Sequence, residues 1–355
     1  MINNKFWKSK KILITGHSGF IGSWLFTILE KKNVKVFGFS KNNKEKNSFF
    51  KVLGINKKKS SCLGDVNNFN KFNAFVEKKK PEIIFHFAAE SIFQDGLDSP
   101  YKTYKTNIFG TLNLLKIAKK NKFIKCVVFF TTDKVYKNLE KRLKFKEHYC
   151  LGGDDPYSGS KSASEILINS FAKSILKKKI FIFRSGNVLG GGDYSKYRLV
   201  PDIIKSSLQK KKLIIRNKFS IRPWIYILDT LWMMTKTIEI NYKKRSIMNI
   251  FNLATTFQGI TVFKLIKFFK KEINFEILYS NVKNKEKKFL LLSNSKLKNL
   301  YQIKNNLNFK ETVNQTAKFY KRFHSSADKL NDIINDEVKS YEKKLKISEN
   351  KKFKL

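Results

Sequence analysis

Short apolar runs alternate with longer amphipathic stretches through the first half of this chain, and that alternation predicts its architecture. Lys11-Ile12-Leu13-Ile14-Thr15 reads as a strand buried on both faces, and Ile21 to Lys31 as the helix after it. Val34 to Phe39 is a second strand. Glu82 to Phe87 and Cys126 to Phe130 are two more, separated by a helix from about Tyr101 to Lys119. A further strand, Ile180 to Arg184, follows a helix that starts near Tyr157. Strands alternating with helices pack as a parallel sheet covered on both faces, so the expected class is α/β, doubly wound. From about Asn187 the pattern becomes irregular and loop-rich, as in a smaller C-terminal lobe that receives a substrate. The stretch from about Ser325 is polar and highly charged and reads as a frayed helix or a disordered tail.

The first candidate chemistry lies between the first strand and the first helix, in Thr15-Gly16-His17-Ser18-Gly19-Phe20-Ile21-Gly22. Glycines at these spacings permit a tight turn, let the backbone approach a pyrophosphate, and pack helix against sheet. With a strand before it and a helix after it, the motif predicts a dinucleotide site of the Rossmann type. Gly16, Gly19, Phe20, Ile21 and Gly22 are its candidate cofactor residues. The second strand ends in Ser40-Lys41-Asn42-Asn43-Lys44, without the carboxylate that would hold a ribose 2′-hydroxyl. These residues therefore leave NAD and NADP open. Asp65, after Gly64, is the candidate adenine contact.

A second constellation is Tyr157-Ser158-Gly159-Ser160-Lys161. Residues four apart share one helix face, which predicts an ammonium beside a phenol. A nearby cation favours phenolate, and a phenolate takes a proton from a sugar hydroxyl as hydride leaves the carbon. Upstream, Thr131-Thr132-Asp133-Lys134 closes a strand at the carboxyl edge of the sheet. The two segments together are far more specific than either alone.

Composition changes the picture only in part. The 355 residues carry a formal net charge of +45, which would attract a polyanion such as nucleic acid. The lysines, however, are spread along the whole chain and not gathered on one element, as a general compositional bias would leave them. Arginine is scarce, and Arg184, Arg198, Arg216 and Arg222 cluster within one stretch, a pattern suited to bidentate phosphate recognition. Arg184, at a strand end, reads as structural, and His86 as a packed strand-end histidine. Cys62, Cys126 and Cys150 are few and unpatterned, which suits a reducing compartment and a cytoplasmic protein. No run reaches the roughly 18 apolar residues of a membrane span.

With these motifs the chain resembles the extended short-chain dehydrogenase/reductases, and within them the sugar-nucleotide 4,6-dehydratases of the CDP-glucose type. The likeness covers roughly residues 6 to 230. It rests on the glycine turn followed by Gly22-Ser23-Trp24-Leu25, on His86-Phe87-Ala88-Ala89 and on Thr106-Asn107. It continues through Thr132-Asp133-Lys134, Asp155-Pro156-Tyr157 and Gly190-Gly191-Gly192-Asp193, and then Arg198 to Asp202 and Arg222-Pro223-Trp224.

The resemblance implies NAD as cofactor, with further contacts from Asp65-Val66, Phe87-Ala88-Ala89, Tyr157 and Lys161. It implies that Tyr157, with Lys161, deprotonates the sugar 4-hydroxyl while Thr132 hydrogen-bonds that oxygen. Asp133 would protonate the departing 6-hydroxyl, and Lys134 stands where dTDP-glucose enzymes carry a glutamate base. Arg222 would grip the substrate diphosphate, helped by Arg198, Arg216 and Asn187. A homodimer and a nucleotide-sugar substrate follow by the same route, with nucleic acid and membrane disfavoured as partners.

The expected division is a dinucleotide domain over 1–186 with a strand and helix returning near 226–252. A mainly substrate-binding lobe follows over 187–325, and a charged tail over 326–355. Glu90-Ser91 and Ile225-Tyr226-Ile227 depart from the CDP-glucose pattern, so a dTDP- or UDP-linked sugar stays open, as does an epimerase. A polyanion binder on the same fold is the remote alternative.

Overall fold

The computed structural model describes residues 1–355 except 44, 216, 258, 280–286, 326–328 and 353–355. Six strands come first: β1 (Lys11–Thr15), β2 (Lys35–Ser40), β3 (Ser61–Leu63), β4 (Ile83–His86), β5 (Cys126–Thr132) and β6 (Lys179–Ser185). The later strands are β7 (Asn187–Leu189), β8 (Leu213–Ile215), β9 (Trp224–Tyr226), β10 (Met248–Leu253) and β11 (Ile277–Tyr279). Seven of these form one sheet in the order β10-β6-β5-β4-β1-β2-β3. Every neighbouring pair in it is parallel. The winding reverses between β1 and β4, which places a crevice for ligands at the carboxyl ends of those strands.

Alternating side chains explain why the sheet is covered twice. In β1, Ile12 and Ile14 enter one core and Leu13 the other. The first core is closed by the helices Phe20–Lys31, Ile227–Asn241 and Leu330–Lys352. The second is closed by Phe69–Lys79, Gly110–Lys120 and Pro156–Ser174. Each fully buried Leu, Ile or Phe stabilises this arrangement by roughly 1.5–3 kcal/mol. The helix expected from about Tyr101 to Lys119 is interrupted by one wide π-type turn at Lys105–Phe109.

The charged C-terminal stretch is not a loose tail. It forms the helix Leu330–Lys352, and Leu330, Ile333, Ile334, Val338, Tyr341 and Leu345 all enter the first core. Their spacing of three to four residues is an apolar stripe on one helix face, which the surrounding lysines and acids dilute in any average. After β6 the chain leaves the sheet, and it returns through Ile227–Asn241 and β10, which pairs with β6. Much of the intervening and later chain forms a third core around Ile203, Trp224, Leu265, Phe269 and Val313. Among the described residues no helix is long and apolar enough to cross a membrane.

Candidate active site

A cleft of about 870 Å³ opens at the carboxyl ends of β1, β4, β5 and β6 and extends to the third core. At its floor, Gly16 has φ +72°, and a Cβ there would lie 2.6 Å from the Ala88 backbone nitrogen. Only glycine lets the turn pass this close to the chain leaving β4. The helix Phe20–Lys31 starts at Gly19 with no side-chain cap. Its first N–H groups are therefore left to a ligand, at the positive end of the helix dipole. Gly19, Phe20, Ile21 and Gly22 line the cleft there, so the donor set fits a pyrophosphate. His17 turns away from this site. Its Nε2 is hydrogen-bonded to Ser61 Oγ at 2.7 Å, and burial pushes its pKa down to about 4.

Further along, Asp65, Val66, Phe87, Ala88 and Ala89 line the same cleft. Burial opposes ionisation of Asp65, but the Asn67 N–H and the Lys41 ammonium, 3.1 Å away, hold its carboxyl below the usual value. At the end of the second strand Ser18 Oγ donates to the Lys41 carbonyl at 2.9 Å. Among the described residues, no group of His, Cys, Asp and Glu is arranged to hold a metal ion.

The reacting groups come from two elements. β5 delivers Thr132, whose Oγ1 donates to Asp133 Oδ1 at 2.9 Å. Asp133 is buried, and its Oδ2 has no hydrogen-bond partner among the described residues. Burial raises its pKa, against the pull of Lys134, Thr132 and Arg222. The helix Pro156–Ser174 is started by an Asp155–Ser158 capping box with Pro156 in its first turn, which puts Tyr157 at the cleft. Burial pushes the Tyr157 phenol up to about 12, while a hydrogen bond with Thr132 and the charge of Arg198 favour its ionised form. Lys161 lies four residues on along the same helix, and its Nζ donates to the Phe130 carbonyl at 2.9 Å. Burial lowers its pKa to about 8, against the charge of Glu165. Lys134 lies with its Nζ 4.6 Å from the centre of the Phe93 ring.

The opposite wall carries the candidate anion-binding groups. Arg198 reaches Asp193 and Ser91 at 3.3 Å each. Arg222 is buried, and its Nη1 donates to the carbonyls of Ile221 and Lys287 at 3.0 and 2.9 Å. Asn187, on β7, lines the same wall. Every predicted site residue except Arg216 lines this one cleft; Arg216 lies outside the described residues. Sequence reasoning missed Lys205 and Gln209, which also line it from the helix Leu199–Gln209. Their only signal was the amphipathic period of that helix.

Two of the sequence signatures prove to be one structural joint. Trp24 Nε1 donates to the Gly191 carbonyl at 2.8 Å, joining Gly22-Ser23-Trp24-Leu25 to Gly190-Gly191-Gly192-Asp193. A Cβ on Gly191 would overlap the Phe319 ring, and Gly192 has φ +86° against Phe49. Their role is therefore packing.

The sequence model of the family described as GDP-mannose 4,6 dehydratase matches residues 13–316. The chain belongs to that family. It is 38% identical over 239 residues to a CDP-glucose 4,6-dehydratase of Salmonella typhimurium, covering 65% of this chain and 67% of that protein. It is 31% identical over 267 residues to a dTDP-D-glucose 4,6-dehydratase of Dictyostelium discoideum, covering 70% of this chain and 59% of that one. Among solved structures, UDP-glucose 4-epimerase of Thermotoga maritima with UDP-glucose superposes with TM-score 0.78 at 21% identity, covering 88% and 99% of the two chains. The dTDP-glucose 4,6-dehydratase of Bacillus anthracis in complex with NAD gives TM-score 0.74 at 23% identity, covering 89% and 97%. At these identities the structural likeness speaks for the fold, which dehydratases and epimerases share.

Proposed function

We propose that this chain is an NAD-dependent hydro-lyase that converts CDP-glucose to CDP-4-keto-6-deoxyglucose. The observation that carries the reading is the buried Asp133 carboxyl with an unpartnered oxygen, beside Thr132 and Tyr157 in one cleft. An epimerase on this fold needs a tyrosine and a cofactor; it has no use for an acid here. The glycine turn from Gly16 to Gly22 and Asp65 would hold NAD, which would supply hydride acceptance and donation for the sugar carbons.

The chain's own residues do the rest. Tyr157 takes the proton of the 4-hydroxyl, and Thr132 holds that oxygen. Lys161 keeps the tyrosine's surroundings cationic from its seat on the Phe130 carbonyl. Once C4 is a ketone, the C5 proton is acidic, and its removal falls to Lys134, next to Asp133 in the cleft. Asp133, whose hold on its proton burial strengthens, gives that proton to the 6-hydroxyl, which leaves as water. Arg222, Arg198, Asn187 and Arg216 would hold the diphosphate side of the substrate. Residues 1–186 with the return over 226–252 would form the dinucleotide part, and 187–325 mainly the sugar-nucleotide lobe. The curated relatives supply the choice of CDP-glucose. A cytoplasmic homodimer, paired through helices near Tyr101 and Tyr157, completes the reading.

The test is incubation of the purified protein with NAD and, separately, CDP-, dTDP- and UDP-glucose, followed by the alkali-induced absorbance of 4-keto-6-deoxy sugars. Product from CDP-glucose is expected. Product from another nucleotide sugar alone would overturn the base assignment, and a C4 epimer in place of product would overturn the reaction.

A further inference from the structure

One cluster of buried titratable groups lies beside the reacting residues and takes no part in the steps above. Glu165 is 2% exposed and Arg184 is 3% exposed. Arg184 Nη2 donates to Glu165 Oε2 at 2.6 Å, and its Nε donates to both carboxylate oxygens at 3.1 and 3.0 Å. The third partner of the carboxylate is Thr131, whose Oγ1 donates to Oε1 at 2.5 Å. Arg184 Nη1 donates onward to the Tyr136 hydroxyl and to the Glu147 carbonyl at 2.9 Å each. The Tyr136 hydroxyl in turn donates to Asn252 Oδ1 at 2.6 Å. β5, β6 and the catalytic helix thus meet on one carboxylate, and β10 joins through Tyr136.

We propose that Glu165 is a positioning residue, whose carboxylate ties the Thr131 end of β5, and with it the Thr132-Asp133 step, to the helix that carries Tyr157 and Lys161. This rests on the roles assigned to those residues above. Glu165 lies four residues beyond Lys161 and eight beyond Tyr157, so all three share a helix face. The residue it grips from β5 is the immediate neighbour of Thr132. A second bond repeats the tie, since Ser162 Oγ donates to the Val135 carbonyl at 3.0 Å, just past Asp133 and Lys134.

An ion pair buried this deeply earns little stability over an apolar pair, so its worth lies in fixing geometry. It also acts on charge. Glu165 on its own helix and His86 on β4 interact electrostatically with Lys161, Tyr157 and Asp133 line the same cleft, and Arg184 on β6 pairs with Glu165. His86 is held neutral by burial, its pKa lowered to about 3, and burial keeps Asp133 toward its protonated form. Glu165 is the group that opposes the burial of the Lys161 ammonium. Without it, burial pushes Lys161 further down and the ammonium is lost at lower pH.

Two variants of the full-length protein test this. In the first, Glu165→Gln is combined with Arg184→Met, so that no guanidinium is left buried alone. In the second, Thr131→Val removes one hydrogen bond and leaves the ion pair. Both are checked for folding by thermal melting. Lys161 is titrated by competitive acetylation with mass spectrometry, which needs no substrate, and the pH profile of kcat is measured with the nucleotide sugar.

The double variant should lower the Lys161 midpoint by about one pH unit, with the alkaline limb of kcat following and KM within about twofold. Thr131→Val should lower kcat about tenfold with the Lys161 midpoint unmoved. A folded double variant with a wild-type midpoint and profile would overturn the proposal. So would full kcat in Thr131→Val, which decides the matter if the double variant does not fold. A shifted midpoint in a protein that turns over no nucleotide sugar would retire the reaction and leave the positioning role standing.

Discussion

Asp133, at the end of β5, and Asp229, in the helix Ile227–Asn241, are both fully buried carboxyls that burial drives toward the protonated form. Their surroundings differ in one respect. Asp229 Oδ1 accepts from the Asn306 N–H and the Tyr341 hydroxyl at 2.6 Å each, and its Oδ2 accepts from the Leu307 N–H at 3.3 Å. Asp133 is bonded through one oxygen, and the other, at the cleft, has no partner among the described residues. Burial alone therefore does not make a catalytic acid. A carboxyl whose bonds are all satisfied anchors a helix, here the C-terminal one. A carboxyl left one bond short at a cleft is the one placed to meet a substrate, which is why the proposed acid is Asp133.

The sharpest way to break this contrast is to neutralise each side in turn. Asp133→Asn should lower kcat by about 10²- to 10⁴-fold with nucleotide-sugar binding within a few fold, and Tyr157→Phe should cost at least as much. Steady-state kinetics and a binding titration read both. Asp229→Asn should leave kcat near wild type and cost about 1–3 kcal/mol in denaturant melts, because its new amide meets the Leu307 N–H donor to donor. Loss of activity in a folded Asp229→Asn protein would erase the distinction.

The pH dependence separates them further. For an acid whose folded pKa lies above its unfolded value, the folded chain binds more protons. Its stabilising contribution is then full below the unfolded value and is lost as pH rises toward the folded one. For Asp229 that window runs from 3.8 to about 6, so the stability gap between wild type and Asp229→Asn should narrow as pH rises across it. Glu337, which accepts from the Tyr226 hydroxyl under the same C-terminal helix, is raised from 4.5 to about 7, so its own contribution fades over that range in both proteins. A gap that widens with pH would contradict the assignment. The smallest effect belongs to the joint of the two signatures: Trp24→Phe should cost about 1 kcal/mol in melts and leave kcat within a few fold.

How much of this could be read beforehand follows the same division. The strands from β1 to β6 announce themselves, since a strand buried on both faces must be a short continuous apolar run and Lys11 to Thr15 is one. The site residues were legible where backbone or chemistry restricts the residue type. Gly16 needs a positive φ, and Tyr157 and Lys161 must share a helix face. The helix Leu330–Lys352 was hidden because its six buried apolar residues are outnumbered by charged neighbours, so only the period marked it. Trp24 and Gly191 stood in the sequence only as marks of the resemblance, and their packing role needs the partner across 167 residues of chain. Glu165 gave one cue, its place four residues after Lys161, and that cue cannot show that Arg184 and Thr131 converge on it.

The central claim is that hydride leaves C4 and returns to C6 of the same sugar while Asp133 supplies the proton for the leaving hydroxyl. It is tested most directly with CDP-glucose carrying deuterium at C4, incubated with the protein and NAD and examined by mass and NMR spectrometry. The account predicts a 4-keto-6-deoxy product with the deuterium in its C6 methyl group. Deuterium retained at C4 of an epimerised sugar, or no product from a protein shown to bind both NAD and the nucleotide sugar, would contradict it.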